Sequence, residues 1–170
     1  ELLKQAGEDS RAEVRAAVVH ILKSISADQP ELALDLIDSW LDTTSNRLKL
    51  TSVQVFPVVY SSNSEKILDI IYEYSLLEDY EINRALVDSL NEIAQNSHGK
   101  EIMDRLATWS HKKDPNLWVI SRVLSTPWVT EFTDQAAEVL HDLERSRGHS
   151  EMIEKTFKRL QYLNEEINNS

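Results

Sequence analysis

Three aspartates recur along the chain at a nearly constant step: Asp35, Asp69 and Asp104, 34 and then 35 residues apart. Each is the third residue of one pattern, apolar-apolar-Asp-x-apolar-x-x-aromatic, found in Ala33–Trp40, Ile67–Tyr74 and Ile102–Trp109. Ionised carboxylates only accept hydrogen bonds, and their strongest partners are Arg and Lys. A row of them could therefore hold a basic segment and steer its approach. More acids surround the row. Residues 28–46 hold five (Asp28, Glu31, Asp35, Asp38, Asp42) and no Lys or Arg, and residues 65–81 hold six, Glu73 among them, against Lys66 alone. The same pattern also fits a solvated helix surface that keeps the protein soluble. The candidate partner-binding residues are Asp35, Asp38, Asp69, Glu73 and Asp104.

Other chemistries find no foothold. The five histidines, His20, His98, His111, His141 and His149, are scattered, and none stands in a His-x-x-x-His or Glu-paired metal spacing. His141 and Glu144 share a helix face, which is a weak coincidence. No Gly-rich phosphate loop and no nucleophile elbow is present. No catalytic, cofactor-binding or metal-binding residue is assigned, and no cofactor is expected.

Composition narrows the class. Lys and Arg number 18 against 29 Asp and Glu, a net charge of −11. Nucleic-acid binders neutralise phosphates with clustered cations, so this balance argues against such a partner and equally against an anionic membrane surface. The absence of cysteine excludes disulfides and thiolate metal sites and fits a reducing compartment, so a cytoplasmic location is expected. No apolar run approaches the roughly 20 residues of a membrane span. The chain opens on Glu1-Leu2-Leu3, without an initiator Met and already in helical pattern, and ends on the polar run Asn164–Ser170. It is expected to be a piece of a longer protein.

The elements that would position the aspartates are helices. Glycine occurs 3 times and proline 4 times, too few for a loop-rich or β-rich chain of 170 residues. Apolar periodicity predicts helices over 10–26, 30–42, 46–60, 64–77, 80–96, 99–111, 115–125, 131–146 and 150–167. The first carries Val14, Ala17, Val18, Ile21, Leu22 and Ile25 at helical spacing. Pro57 should kink or shorten the third. Asn96–Gly99 and Thr126-Pro127 should turn the chain, and Gly148 should end a helix. Asp9, Thr44, Asp79 and Asp114 keep a 35-residue step and are good N-cap types. Trp40, Tyr74 and Trp109 close the second helix of each unit, where a large residue suits packing between repeats; Trp118 and Trp128 flank the break at Thr126-Pro127 and are expected to be partly exposed.

Helix pairs at this period define a solenoid. Ankyrin and tetratricopeptide signatures are missing. The segment Asp9–Val18, with its Val14-Arg15 pair, resembles the opening helix of a HEAT repeat, and Asp114–Val119 is similar, with proline after the aspartate. The resemblance covers about residues 9–125, and the Val-Arg pair is intact only in the first unit. It implies an all-α, right-handed solenoid of about four antiparallel helix pairs, one domain over 1–170. The repeats would span 9–43, 44–78, 79–113 and 114–147, and an atypical capping helix about 149–168. In HEAT-like solenoids the second helices line the concave face, which would set the three aspartates in a ladder at roughly 8–10 Å.

The function this implies is a non-catalytic protein–protein interaction scaffold that binds a protein or basic peptide through an acidic concave face. A C-terminal sensor or regulatory arm of a larger enzyme is an alternative. The segment Trp109–Arg122 also resembles HEAT-like alkylpurine DNA glycosylases, which hold damaged DNA with aromatics, an acid and a basic groove; the charge balance contradicts that groove.

Overall fold

A computed structural model describes residues 1–41 and 43–169, with only the backbone at 167 and 168. Asp42, counted among the acids above, and Ser170 lie outside the described residues. The helices are α1 (Leu2–Gly7), α2 (Ala12–Asp28), α3 (Pro30–Leu41), α4 (Asn46–Val53), α5 (Phe56–Val59), α6 (Ser64–Ser75), α7 (Tyr80–Ile93), α8 (Gly99–Ser110), α9 (Leu117–Leu124), α10 (Thr133–Arg147) and α11 (Glu151–Asn168). Short 3₁₀ turns span Tyr60–Ser62 and Pro127–Phe132. No strand occurs among the described residues.

The chain divides into two compact units, Glu1–Ser89 and Leu90–Ser170, and the division falls within α7. In the N-terminal unit α2 packs on α3, and both contact α4 and α5. Its core takes Leu22 from α2, Ile37 and Trp40 from α3, Leu48 from α4, Phe56 from α5, and Ile67, Ile71 and Tyr74 from α6. In the C-terminal unit α8 packs on α10, α10 on α11, and α11 on α9. Its core takes Ile102, Leu106 and Trp109 from α8, Val123 from α9, Leu140 from α10 and Leu160 from α11.

The recurrent aromatics are core residues: Trp40, Tyr74 and Trp109 keep only 2%, 5% and 3% of their surface. Truncating a side chain of this size in a packed core costs about 3–5 kcal/mol. Trp118 and Trp128 are half-buried, as their place beside the chain break suggested.

Hydrogen bonds between non-adjacent helices repeat the sequence period. Asn46 Nδ2 donates to Asp79 across 33 positions, Ser89 Oγ to the Val53 carbonyl across 36, and Arg147 to the Lys113 carbonyl across 34. Asn91 Oδ1 accepts from Thr126 Oγ1, 35 residues on, and from Trp128 Nε1, 37 on. Gly99 lets the neighbouring rings close in, since a Cβ there would stand 3.1 Å from the Phe132 ring and 3.5 Å from that of Trp128.

Several local expectations need correction. The short α1 precedes the first predicted helix. The stripe predicted on α2 is only partly buried: Val18 and Leu22 are inside, while Ala17 and Ile21 are exposed. The reason is the position of α2 at the end of its unit, where only the short α1 packs against it from the N-terminal side. The helix predicted over 46–60 stops at Val53 and restarts as α5, with Pro57 in its first turn where the missing N–H costs nothing. The turn at 94–98 carries Ser97 at φ 74°, and Gly148, at φ 79°, ends α10.

The caps moved too. Asp79 caps α7 as expected, accepting from Ile82 N at 3.0 Å. Ser45 rather than Thr44 caps α4, accepting from Leu48 N, and Asn116 rather than Asp114 caps α9, accepting from Val119 N at 2.9 Å. Asp9 caps no helix; it takes the Arg11 amide and guanidinium, which hold its carboxyl well below the usual range. Pro115 separates Asp114 from the true cap, so α9 begins two residues later than the sequence suggested.

Replacing Asn116 or Asp79 with Ala should therefore cost about 1 kcal/mol or somewhat more, while Asp114→Ala, which removes only an exposed ion pair with Arg147, should cost well under that. Urea unfolding of the three variants checks this ranking; equal losses would refute the cap assignment.

Candidate functional site: an acidic helix face

On α3, Ala33, Leu34, Ile37 and Trp40 are buried, which turns Asp35 outward and leaves Asp38 half-buried at the edge. On α6, Ile67, Leu68, Ile71 and Tyr74 are buried, and Asp69 and Glu73 are exposed. Residues three and four apart are neighbours on a helix surface. Asp35 with Asp38, and Lys66 with Asp69 and then Glu73, therefore each form a continuous strip.

The two strips meet at a close ion pair between Lys66 Nζ and Asp38 Oδ2. Lys66 is the one cation on these two helices, and it is committed to Asp38. Asn63 holds the start of α6 by accepting from Lys66 N at 3.3 Å. The other carboxylate oxygen of Asp38, Oδ1, is buried with no hydrogen-bond partner. Asp35 and Glu73 form no ion pair or hydrogen bond among the described residues, so their charge faces solvent. At the other end of α6 the Tyr74 hydroxyl donates to the Leu41 carbonyl at 3.4 Å, and Lys49 Nζ lies 5.5 Å from the Tyr74 ring centre.

Asp104 belongs to the C-terminal unit and is engaged locally. Lys100 Nζ donates to one oxygen at 2.7 Å and Gln135 Nε2 to the other at 2.8 Å. The hydrogen bond from Lys100, then that from Gln135, holds its carboxyl below the usual carboxylate range. The structure thus unites Asp35, Asp38, Asp69 and Glu73 on one pair of helices and gives Asp104 partners of its own. The part played by Gln135 was missed in the sequence; it lies 31 residues after Asp104, close to one period, which was the available signal.

The residues behind the glycosylase resemblance have structural partners. Trp109 is buried, Asp114 faces Arg147 at 3.3 Å, and the Trp118 ring lies under the Arg122 guanidinium at 5.5 Å. Among the described residues no group of three or more His, Asp or Glu is placed to hold a metal ion. No helix among them is long and apolar enough to cross a membrane.

No family model matches this chain. No curated relative matches it either. Solved structures do. A designed armadillo repeat protein in complex with the peptide (KR)4 superposes with a TM-score of 0.50 at 16% identity, over 95% of this chain and 80% of that one. An engineered protein from the Northeast Structural Genomics Consortium gives a TM-score of 0.45 at 12% identity, over 96% and 80% of the two chains. The armadillo likeness shows the fold: the chain is an all-α solenoid of helical repeats.

The local engagement of Asp104 has a pH signature. A depressed carboxyl contributes its stabilisation above the ordinary carboxylate pKa and loses it as the pH falls through the lowered folded value. The side chain is half exposed, so solvent screening keeps that stabilisation small. The carbon-13 titration midpoint of Asp104 should lie below those of unpaired aspartates. It should rise on Lys100→Met and, by a smaller step, on Gln135→Ala; an unmoved midpoint in both variants would contradict the geometry.

Proposed function

We propose that this chain is a non-catalytic scaffold that binds a basic peptide or protein segment along the acidic face of α3 and α6. The observation that carries the proposal is the exposed pair Asp35 and Glu73, with Asp69 beside them, on two helices whose only cation, Lys66, is already paired with Asp38. An arriving Arg or Lys meets the negative potential of Asp35 and Glu73, strengthened by the net charge of −11. In this reading α3 and α6, the second helices of the first two HEAT-like repeats, form the binding wall. The partner of the designed armadillo protein, an alternating Lys-Arg peptide, has the chemistry such a face would take, so it is a suitable probe. Catalysis and a resident cofactor have no role in the proposal, and the working environment is a reducing, cytoplasmic one.

The test is calorimetry with (KR)4 at low salt on the wild type and on Asp35→Lys/Asp69→Lys. Exposed ion pairs contribute about 0.2–1 kcal/mol each, and reversal turns each attraction into a repulsion, so affinity should fall roughly tenfold or more while circular dichroism stays unchanged. The salt dependence should flatten as well. Equal affinity in the variant would sink the assignment of this face. Failure of the wild type to bind any basic peptide would sink the reading as a whole.

A further inference from the structure

A cleft of about 490 Å³ opens between α9 and the start of α11, within the C-terminal unit. Its size is that of a small-molecule site. Four features of its wall favour an oxyanion. Arg122 projects from α9 and is exposed; among the described residues its interaction is with the Trp118 ring, and no carboxylate pairs with it. Lys155 stands one turn into α11. The first turn of that 18-residue helix borders the cleft with the positive end of its dipole, although the Met152 and Glu154 amides already donate to Ser150 and the turn also carries Glu151 and Glu154. The fourth feature is independent of charge. Ser121 lines the cleft with only 2% of its surface exposed, and its hydroxyl has no hydrogen-bond partner. A helical serine normally returns its proton to a carbonyl of the preceding turn, as Ser125 does to Ser121. A buried hydroxyl without a partner is costly, and a ligand oxygen in the cleft would satisfy it.

We propose that this cleft binds a phosphate monoester, with Arg122, Lys155 and the Ser121 hydroxyl on the phosphate oxygens and the organic remainder against Trp118. Arg offers a planar fork that fits phosphate geometry. A bare phosphate would fill only part of 490 Å³, so the ester portion is required. Glu151 is the opposing group: its carboxylate lines the cleft and holds Lys155 at 2.7 Å. Both side chains of that pair are more than two-thirds exposed, which makes the pair weak and its exchange for a phosphate easy.

The experiment is a nitrogen-15 NMR titration of the full chain at constant ionic strength with inorganic phosphate, glycerol phosphate, a short phosphoserine peptide and its unphosphorylated form. The two esters should saturate shifts at the Trp118 indole and the Met152 and Ile153 amides, with inorganic phosphate weaker and the plain peptide silent. The tighter of the two esters identifies the source as a modified side chain or a free metabolite. Arg122→Gln should weaken binding roughly tenfold or more, the loss expected for a hydrogen bond to a charged group. Glu151→Gln should tighten it about two- to fivefold by releasing Lys155. Ser121→Ala should weaken binding without lowering the thermal midpoint, since it removes an unsatisfied group. Shifts reproduced by the unphosphorylated peptide, or equal affinity in wild type and Arg122→Gln, would overturn the proposal. So would the absence of saturable shifts from either ester.

Discussion

A helix with one apolar stripe cannot shield that stripe alone, and a pair of such helices covers only the sides that face each other. Each further pair must bury what the previous one left open. In this chain that demand is met by a large aromatic near the end of α3, α6 and α8, and by branched aliphatics one and two turns before it. The same demand fixes what faces water. With Ile67, Leu68, Ile71 and Tyr74 committed inward, Asp69 and Glu73 have nowhere to point but outward. The acidic face is thus a geometric by-product of packing before it is anything else. What distinguishes it is the near absence of compensating cations.

Polar groups inside such a stack must be matched at the same spacing as the apolar ones. Asn91 shows how: one side-chain oxygen receives both Thr126 and Trp128 and ties the break after α9 back to α7. Asn83 is the counterexample, buried with an unpartnered carbonyl oxygen, as is one oxygen of Asp38. Each of these two oxygens carries the cost of a buried polar atom without a hydrogen bond.

Much of the fold was legible because the apolar period reports burial directly. Nine helical stretches, the third of which the structure divides into α4 and α5, the break near Pro57 and the end at Gly148 could be read from residue order, whereas the short α1 could not. Cap identity was harder. Thr44 and Ser45 are adjacent, chemically equivalent choices, and only the Leu48 amide decides between them. Asp114 was a good cap by type, but Pro115 stands between it and the helix. The outward direction of Asp35 and Asp69 was legible from periodicity, whereas the partners of Asp38 and Asp104 were not, because Lys66 and Gln135 come from other helices. The cleft between α9 and α11 left no trace in the sequence, since it is made by two segments about 30 residues apart whose residues form no motif.

The division of the chain at Ser89 separates the four indoles unequally. Trp40 alone falls in the N-terminal unit, deeply buried, while Trp109, Trp118 and Trp128 fall in the C-terminal one. Intrinsic fluorescence of the whole protein is consequently a weighted signal in which the second unit dominates, and backbone dichroism weights the two nearly equally. If the units lose structure at different temperatures, those two optical signals separate, and the order in which they change names the weaker half without any label being attached.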